Sequence, residues 1–212
     1  EDPVDLRPVP GVAERWETSA DGREYPFHLR ANARWSDGRP VTAGDFAASF
    51  RRILTPSLGA EYANMLYVLR GAEDFHKGRS TDFGTVGAAA LDARTLRLTL
   101  TNPTTYFLSL LTNPPWFPVP LEVIARHGPA DRRGNPWTRP EKLVGNGAFT
   151  LRDWRPHQVI IAAKSATYWD AATVRLNAIH FYPIDSVDAE ERAFRSEEHT
   201  SELQSRVDIS YA

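Results

Sequence analysis

Cysteine is absent from the 212-residue sequence, which excludes disulfides and thiolate chemistry. That absence leaves the compartment open, because exported bacterial chains and cytosolic ones both do without it. An excess of either charge is also missing: 25 lysines and arginines stand against 27 aspartates and glutamates, and like charges adjoin only in pairs such as Arg51-Arg52 and Arg132-Arg133. No electrostatic drive toward nucleic acid or an anionic membrane follows, and no nucleic-acid partner is expected. No apolar run approaches the roughly 20 residues of a membrane span, and no charged-then-apolar leader opens the chain. The opening EDPVDLRPVPG lacks an initiator methionine and reads as the interior of a longer protein, so the N-terminus is expected to be missing. Gly-x-Ser-x-Gly elbows, phosphate-cradling loops and dinucleotide fingerprints do not occur. The six histidines, at 28, 76, 127, 157, 180 and 199, never reach helical ligand spacing, and no cysteine could complete a zinc site. Neither a metal nor a cofactor is expected.

What is present is apolar material at 42%, enough for one sizeable core or two small ones, and a wealth of rings: six Trp, seven Tyr and ten Phe. Such side chains suit packed cores and also the walls of clefts that accept varied ligands. For each Trp the core is the favoured place except Trp116, whose flanking prolines argue against deep burial in a regular element.

Local patterns place the elements. An Asp21-Gly22 turn separates Trp16-Glu17-Thr18 from the alternating Tyr25, Phe27 and Leu29, a hairpin in which Pro26 points to an edge strand. Ser36-Asp37-Gly38 makes a turn. Thr42 and Asp45 form a shortened capping box, with Val41 and Phe46 at the staple positions of a helix. That helix buries Phe46, Phe50, Ile53 and Leu54, carries Arg51 and Arg52 near its C-terminus, and stops at Pro56. Asp37 and Asp45 could be imagined as a paired acid and base, but turn formation and capping already account for both. A second hairpin spans Gly87 to Thr101, with Leu96, Leu98 and Leu100 on its buried face. A short apolar helix follows at Tyr106 to Leu111, then a rigid extended segment from Asn113 to Pro120. Leu121 to Arg126 is helical, closed by His127-Gly128, and a loop runs to Leu143. Strands at Gly147 to Trp154 and His157 to Ala163 flank an Arg155-Pro156 turn, and Ile179 to Ile184 forms another.

The last stretch, RSEEHTSELQSRVDISYA, changes character abruptly. Arg195 to Ser205 is one reading frame of a widely used sequencing adapter, and Ile209 to Ala212 matches the part of that adapter beyond its variable index. The native chain is therefore expected to be visible only as far as Phe194.

In order along the chain, PVPGVAERWE, YPFHLRANARWSDGRPVTAGDF, LDARTLRLTLTNPTTYF, PVPLEVI, NGAFTLRDW and ATYWD resemble the oligopeptide-binding family of extracytoplasmic solute-binding proteins that serve ABC importers. The resemblance covers nearly all of residues 8 to 194. It implies an α+β / α/β chain that is part of a two-lobed periplasmic-binding-protein-like fold of type II with an extra lateral domain. Residues 1 to 120 would be the lateral domain of the first lobe and 121 to 194 the start of its main domain, the second lobe lying outside this sequence. The resemblance implies a monomeric, extracytoplasmic, non-enzymatic receptor for a peptide ligand, with a membrane ABC permease as its partner. Tyr62 matches a peptide-contacting position, Asn113 and Trp116 match part of the cleft wall, and Asn146-Gly147 match an element near the interdomain crossing. Trp35 falls in a structural string of the family. Pro26, Gly44 and Gly145 depart from the family pattern. Alternatives keep the fold with another solute, such as a nickel complex, haem or an oligosaccharide. Others make the chain the sensor domain of a transcriptional regulator, or a glycoside hydrolase using its aromatics as a sugar platform.

Overall fold

The computed structural model describes residues 2, 4, 5, 7–184, 186, 188, 191, 192 and 195, and the backbone of 207–210. The chain divides into two compact units, one of residues 1–33 and 40–135, the other of residues 34–39 and 136–212. Among the described residues no helix is long and apolar enough to cross a membrane.

The first unit contains strands β1 (Ala13–Trp16) and β2 (Glu24–Leu29), helices α1 (Ala43–Leu54) and α2 (Ala72–His76), strands β3 (Ala88–Ala90) and β4 (Thr95–Thr99), and helices α3 (Phe107–Leu110) and α4 (Leu121–Arg126). Its antiparallel sheet has the order β1-β2-β4-β3. Tyr25 lies opposite Leu98 and Phe27 opposite Leu96, and all four are buried, so the period-2 alternation of both strands feeds one core face. α1 packs against β3 and β4 with Phe46, Phe50 and Leu54 buried and Ile53 half-buried.

The capping box forms as the sequence requires. The Thr42 amide donates to Asp45 Oδ2 at 2.7 Å and the Asp45 amide donates to Thr42 Oγ1 at 3.3 Å, satisfying two donors that the helix itself cannot. Thr55 ends the helix in an extended conformation, and Pro56 opens a separate 3-10 turn, Pro56–Leu58. Gly87 sits where the chain admits no side chain. Its amide donates to the Arg70 carbonyl at 2.8 Å and its carbonyl accepts from the Thr99 amide at 2.8 Å, so a Cβ there would overlap the Thr99 carbonyl oxygen.

The structure overturns both the edge assignment of Pro26 and the extended reading of the segment after Asn113. β2 is an interior strand, so Pro26 is not on an edge. The Pro26 carbonyl accepts from the Glu17 amide at 3.2 Å, so its nitrogen faces the β1 side just beyond Trp16, where β1 has ended. Toward β4 it falls in a non-hydrogen-bonded pair with Arg97, and no ladder donor is lost there. The segment after Asn113 is not extended throughout: Pro114–Trp116 is a 3-10 turn, with the Trp116 amide donating to the Asn113 carbonyl at 3.0 Å. Proline suits the first positions of such a turn because its missing N–H would have no partner anyway.

That turn drives Trp116 into the core, where it is 3% exposed. Its ring meets Phe50 and Phe107 edge-on at 5.6 Å each. Phe107 in turn lies 4.8 Å from Tyr25, so an unbroken series of rings joins the sheet to α1 through Trp116. The prolines do not hold this tryptophan at the surface. They supply the bend that aims it inward.

The second unit is an antiparallel sheet of β5 (Phe149–Arg155), β6 (Val159–Lys164), β7 (Ala178–Phe181) and β8 (Val207–Ser210), in that order. His157 belongs to the β5–β6 turn and not to a strand, at φ 61, and the Gln158 amide donates back to the Arg155 carbonyl at 3.0 Å. Of Arg195 to Ala212, Arg195 and the backbone of 207–210 are among the described residues, the rest lying outside them. The same unit takes in the turn of residues 34–39, where the Trp35 amide donates to the Arg39 carbonyl at 2.8 Å and Gly38 adopts φ 88. Trp35 is 1% exposed, which makes it a core side chain.

Candidate functional site

In the first unit, three short helical pieces meet around Trp116: the 3-10 turn Ala63–Leu66, the turn Pro114–Trp116 that packs on it, and α3, whose Phe107 touches the Trp116 ring. Tyr62 precedes the first of these. Its side chain is 64% exposed while Ala63 and Leu66 immediately after it are fully buried, so the turn is anchored and the phenol is presented outward. Asn113 precedes the second turn and is half-buried, its Nδ2 donating to the Leu110 carbonyl at 3.1 Å. Trp116 itself faces the core, and among the described residues its buried Nε1 has no hydrogen-bond partner. Tyr62, Asn113 and Trp116 thus share one neighbourhood.

Sequence reasoning did not single out two further rings of this neighbourhood, Tyr106 and Phe117, exposed at 60% and 50%. Tyr106 opens α3 and Phe117 closes the Pro114–Trp116 turn. No sequence signal separates them from Phe107 and Trp116, their immediate neighbours at the same element ends, which are buried. An open groove of about 620 Å³ runs beside Tyr106, lined among others by Asn64, Tyr67, Asn102 and Thr104. Such a mixture of rings and small polar groups can stack on apolar side chains and bond to amides. Glu73, also on the groove's lining, is held below its ordinary pKa by a hydrogen bond from Lys77, which pairs with the carboxylate at 2.6 Å.

Asn146 and Gly147 lie in the second unit, on the approach to β5. Asn146 is half-buried and Gly147 exposed, with nothing closer to a prospective Cβ than the Phe149 carbonyl at 4.0 Å. What anchors this element is the turn after Trp35: the Ser36 amide donates to the Gly145 carbonyl at 2.7 Å, and the Gly145 amide donates to Ser36 Oγ at 3.3 Å. Ser36 was invisible as a partner because it stands 109 residues away along the chain. Among the described residues no group of three or more His, Asp or Glu side chains is placed to hold a metal ion.

Comparison with known proteins bears on what this arrangement serves. The family described as bacterial extracellular solute-binding proteins, family 5 Middle, matches residues 7–205. The chain is 38% identical over 199 residues to the periplasmic oligopeptide-binding protein OppA of Escherichia coli (strain K12), covering 92% of this chain and 35% of that protein. It is also 38% identical over 197 residues to the dipeptide-binding protein DppE of Bacillus subtilis (strain 168), covering 92% and 34%. Among solved structures, Haemophilus influenzae OppA in complex with the peptide RPPGFSPFR superposes with a TM-score of 0.82 at 32% identity, over 89% of this chain and 36% of that one. The chain spans about a third of the length of these relatives.

Proposed function

We propose, from the premise that this chain belongs to the bacterial extracellular solute-binding proteins of family 5, that it forms part of a receptor that captures oligopeptides outside the cytoplasm and hands them to an ABC importer. The observation that carries this reading is the 38% identity, over 92% of the chain, to proteins whose names state oligopeptide and dipeptide binding. The relatives are solute-binding proteins and not enzymes, and we read this chain likewise. Its partners would be a peptide and a membrane permease, and its state a monomer. In this reading residues 1 to about 120 form the lateral domain and 121 to 194 begin the main domain of the first lobe. Residues 195 to 212 are read as adapter-derived.

Binding would follow from backbone chemistry. An extended peptide bonds like an added strand, while hydrated, roomy pockets take its side chains without demanding one sequence. Closure of the lobes about a hinge then buries the ligand and presents the closed form to the permease. In this scheme Tyr62 is the contact of the lateral side, an amphipathic ring already held outward. Asn113 supports the same wall, and Asn146-Gly147 lie near the crossing between domains.

The test is thermal unfolding of the full-length protein with a short-peptide library. Ligand at about a hundred times its dissociation constant should stabilise the fold by about 2.7 kcal/mol, and Tyr62→Ala should diminish the shift. No shift with any peptide would overturn the reading.

A further inference from the structure

We infer that Arg133 is the positioning residue for Tyr62, holding from a distant loop the short arc of chain that carries the phenol; this rests on the peptide-receptor reading above. The arc runs from Gly59 to Tyr62. Leu58 and Ala63 are buried at its two ends, whereas Gly59, Glu61 and Tyr62 are exposed and Ala60 is half-buried. Apolar packing therefore fixes where the arc begins and ends but not its course. Hydrogen bonds must do that, and its first turn leaves carbonyls free: the Gly59 amide closes on Pro56 at 3.1 Å with Gly59 left-handed at φ 59, while the Leu58 and Gly59 carbonyls point away.

Arg133 meets both carbonyls. Its Nε donates to the Leu58 carbonyl at 3.2 Å and its Nη2 to the Gly59 carbonyl, while Nη1 lies 3.5 Å from Glu61 Oε1. One planar guanidinium thus grips three of the four residues that precede Tyr62, a task for a rigid fork of donors and not for a point charge. The loop that carries Arg133 is itself tied down. Ser57 Oγ donates to Asp131 Oδ2 at 2.9 Å, and the half-buried Arg52 donates through Nε to the Ala130 carbonyl at 2.6 Å. Asn135 Nδ2 closes the loop's other end on the Ile124 carbonyl at 3.0 Å. Tyr62 follows Glu61 directly, and its carbonyl starts the next turn by accepting from the Met65 amide at 3.1 Å. The direction of the exposed ring is consequently inherited from backbone that Arg133 holds.

The experiment is a double-mutant cycle in the full-length protein, reading the concentration of a short-peptide library that gives half the maximal melting shift. Arg133→Ala should raise that concentration about fivefold, a modest factor because the guanidinium is more than half exposed. Arg133→Lys, which keeps the charge but not the fork, should fall between. In a Tyr62→Ala background Arg133→Ala should change nothing further, because the side chain it positions is gone. An equal loss in both backgrounds, or none in the Tyr62 protein, overturns the inference while leaving the peptide reading intact. Failure of the unsubstituted protein to respond to any peptide overturns the reading itself, and the inference with it.

Discussion

Replacing Trp116 by alanine should cost about 3–5 kcal/mol of stability, the range for losing a large aromatic from a packed core. The ring is the link between Phe50 on α1 and Phe107 on α3, and neither neighbour can fill the void without abandoning its own contacts. Trp116→Phe should cost far less than the alanine change. It keeps a ring between the two phenylalanines and deletes the buried Nε1, which has no partner among the described residues. Urea unfolding of the two variants checks both expectations, and equal, negligible losses would place the side chain outside the core. This residue also shows what a sequence can mislead about. Flanking prolines argue against deep burial of the indole in a regular element, because proline is hostile to helix interiors and sheets. A 3-10 turn is neither, and it is the element that proline here favours. Tyr62 is the opposite case. Its exposure could not be read from its neighbours, since it lies between buried Leu58 and buried Ala63 in a segment without clear periodicity.

At the scale of the element, α1 was legible almost residue by residue, because what defines it is local. Thr42, Asp45, Val41, Phe46 and Pro56 lie within fifteen or so positions, and capping, stapling and termination act over one or two turns. Its one flaw is local too. Gly44 is exposed in the first turn, and a Cβ there would find only Thr42 Oγ1, at an ordinary 3.5 Å. Gly44→Ala should therefore stabilise the chain by about 0.5–1 kcal/mol through reduced freedom of the unfolded state, read as a raised melting temperature. A fall would mean that the capping box needs the glycine. The strands were legible as strands, but not their order. Pro26 suggests an edge only if the strand on the side its nitrogen faces needs an amide there, and the sequence does not say that β1 ends one residue short of it. Least legible were the ties that hold the candidate site. Ser36 to Gly145 and Arg133 to Leu58 join positions 109 and 75 residues apart, and a side chain bonding to a distant carbonyl leaves no pattern in its own neighbourhood.

At the scale of the whole molecule, the question is which residues belong to it. The family match runs from residue 7 to residue 205 and so includes Arg195 to Ser205, the stretch that reads as adapter translation. The backbone of β8, beyond that stretch, pairs in register with β7, Phe181 opposite Val207 and Ala178 opposite Ser210. Such pairing is a weak guide to origin. Without a fourth strand the outer edge of β7 would present unpaired amides and carbonyls, and bonds between backbones can be satisfied by many sequences. A run such as Val207-Asp208-Ile209-Ser210, alternating apolar and polar, meets the need whether selected for it or not. Long-read sequencing of the source locus separates the two origins. The expected result is a frame that departs from this sequence immediately after Phe194 and continues into further coding sequence, which would give the sheet a different fourth strand. A locus that encodes Arg195 to Ala212 and then stops would refute the adapter origin and make β8 native.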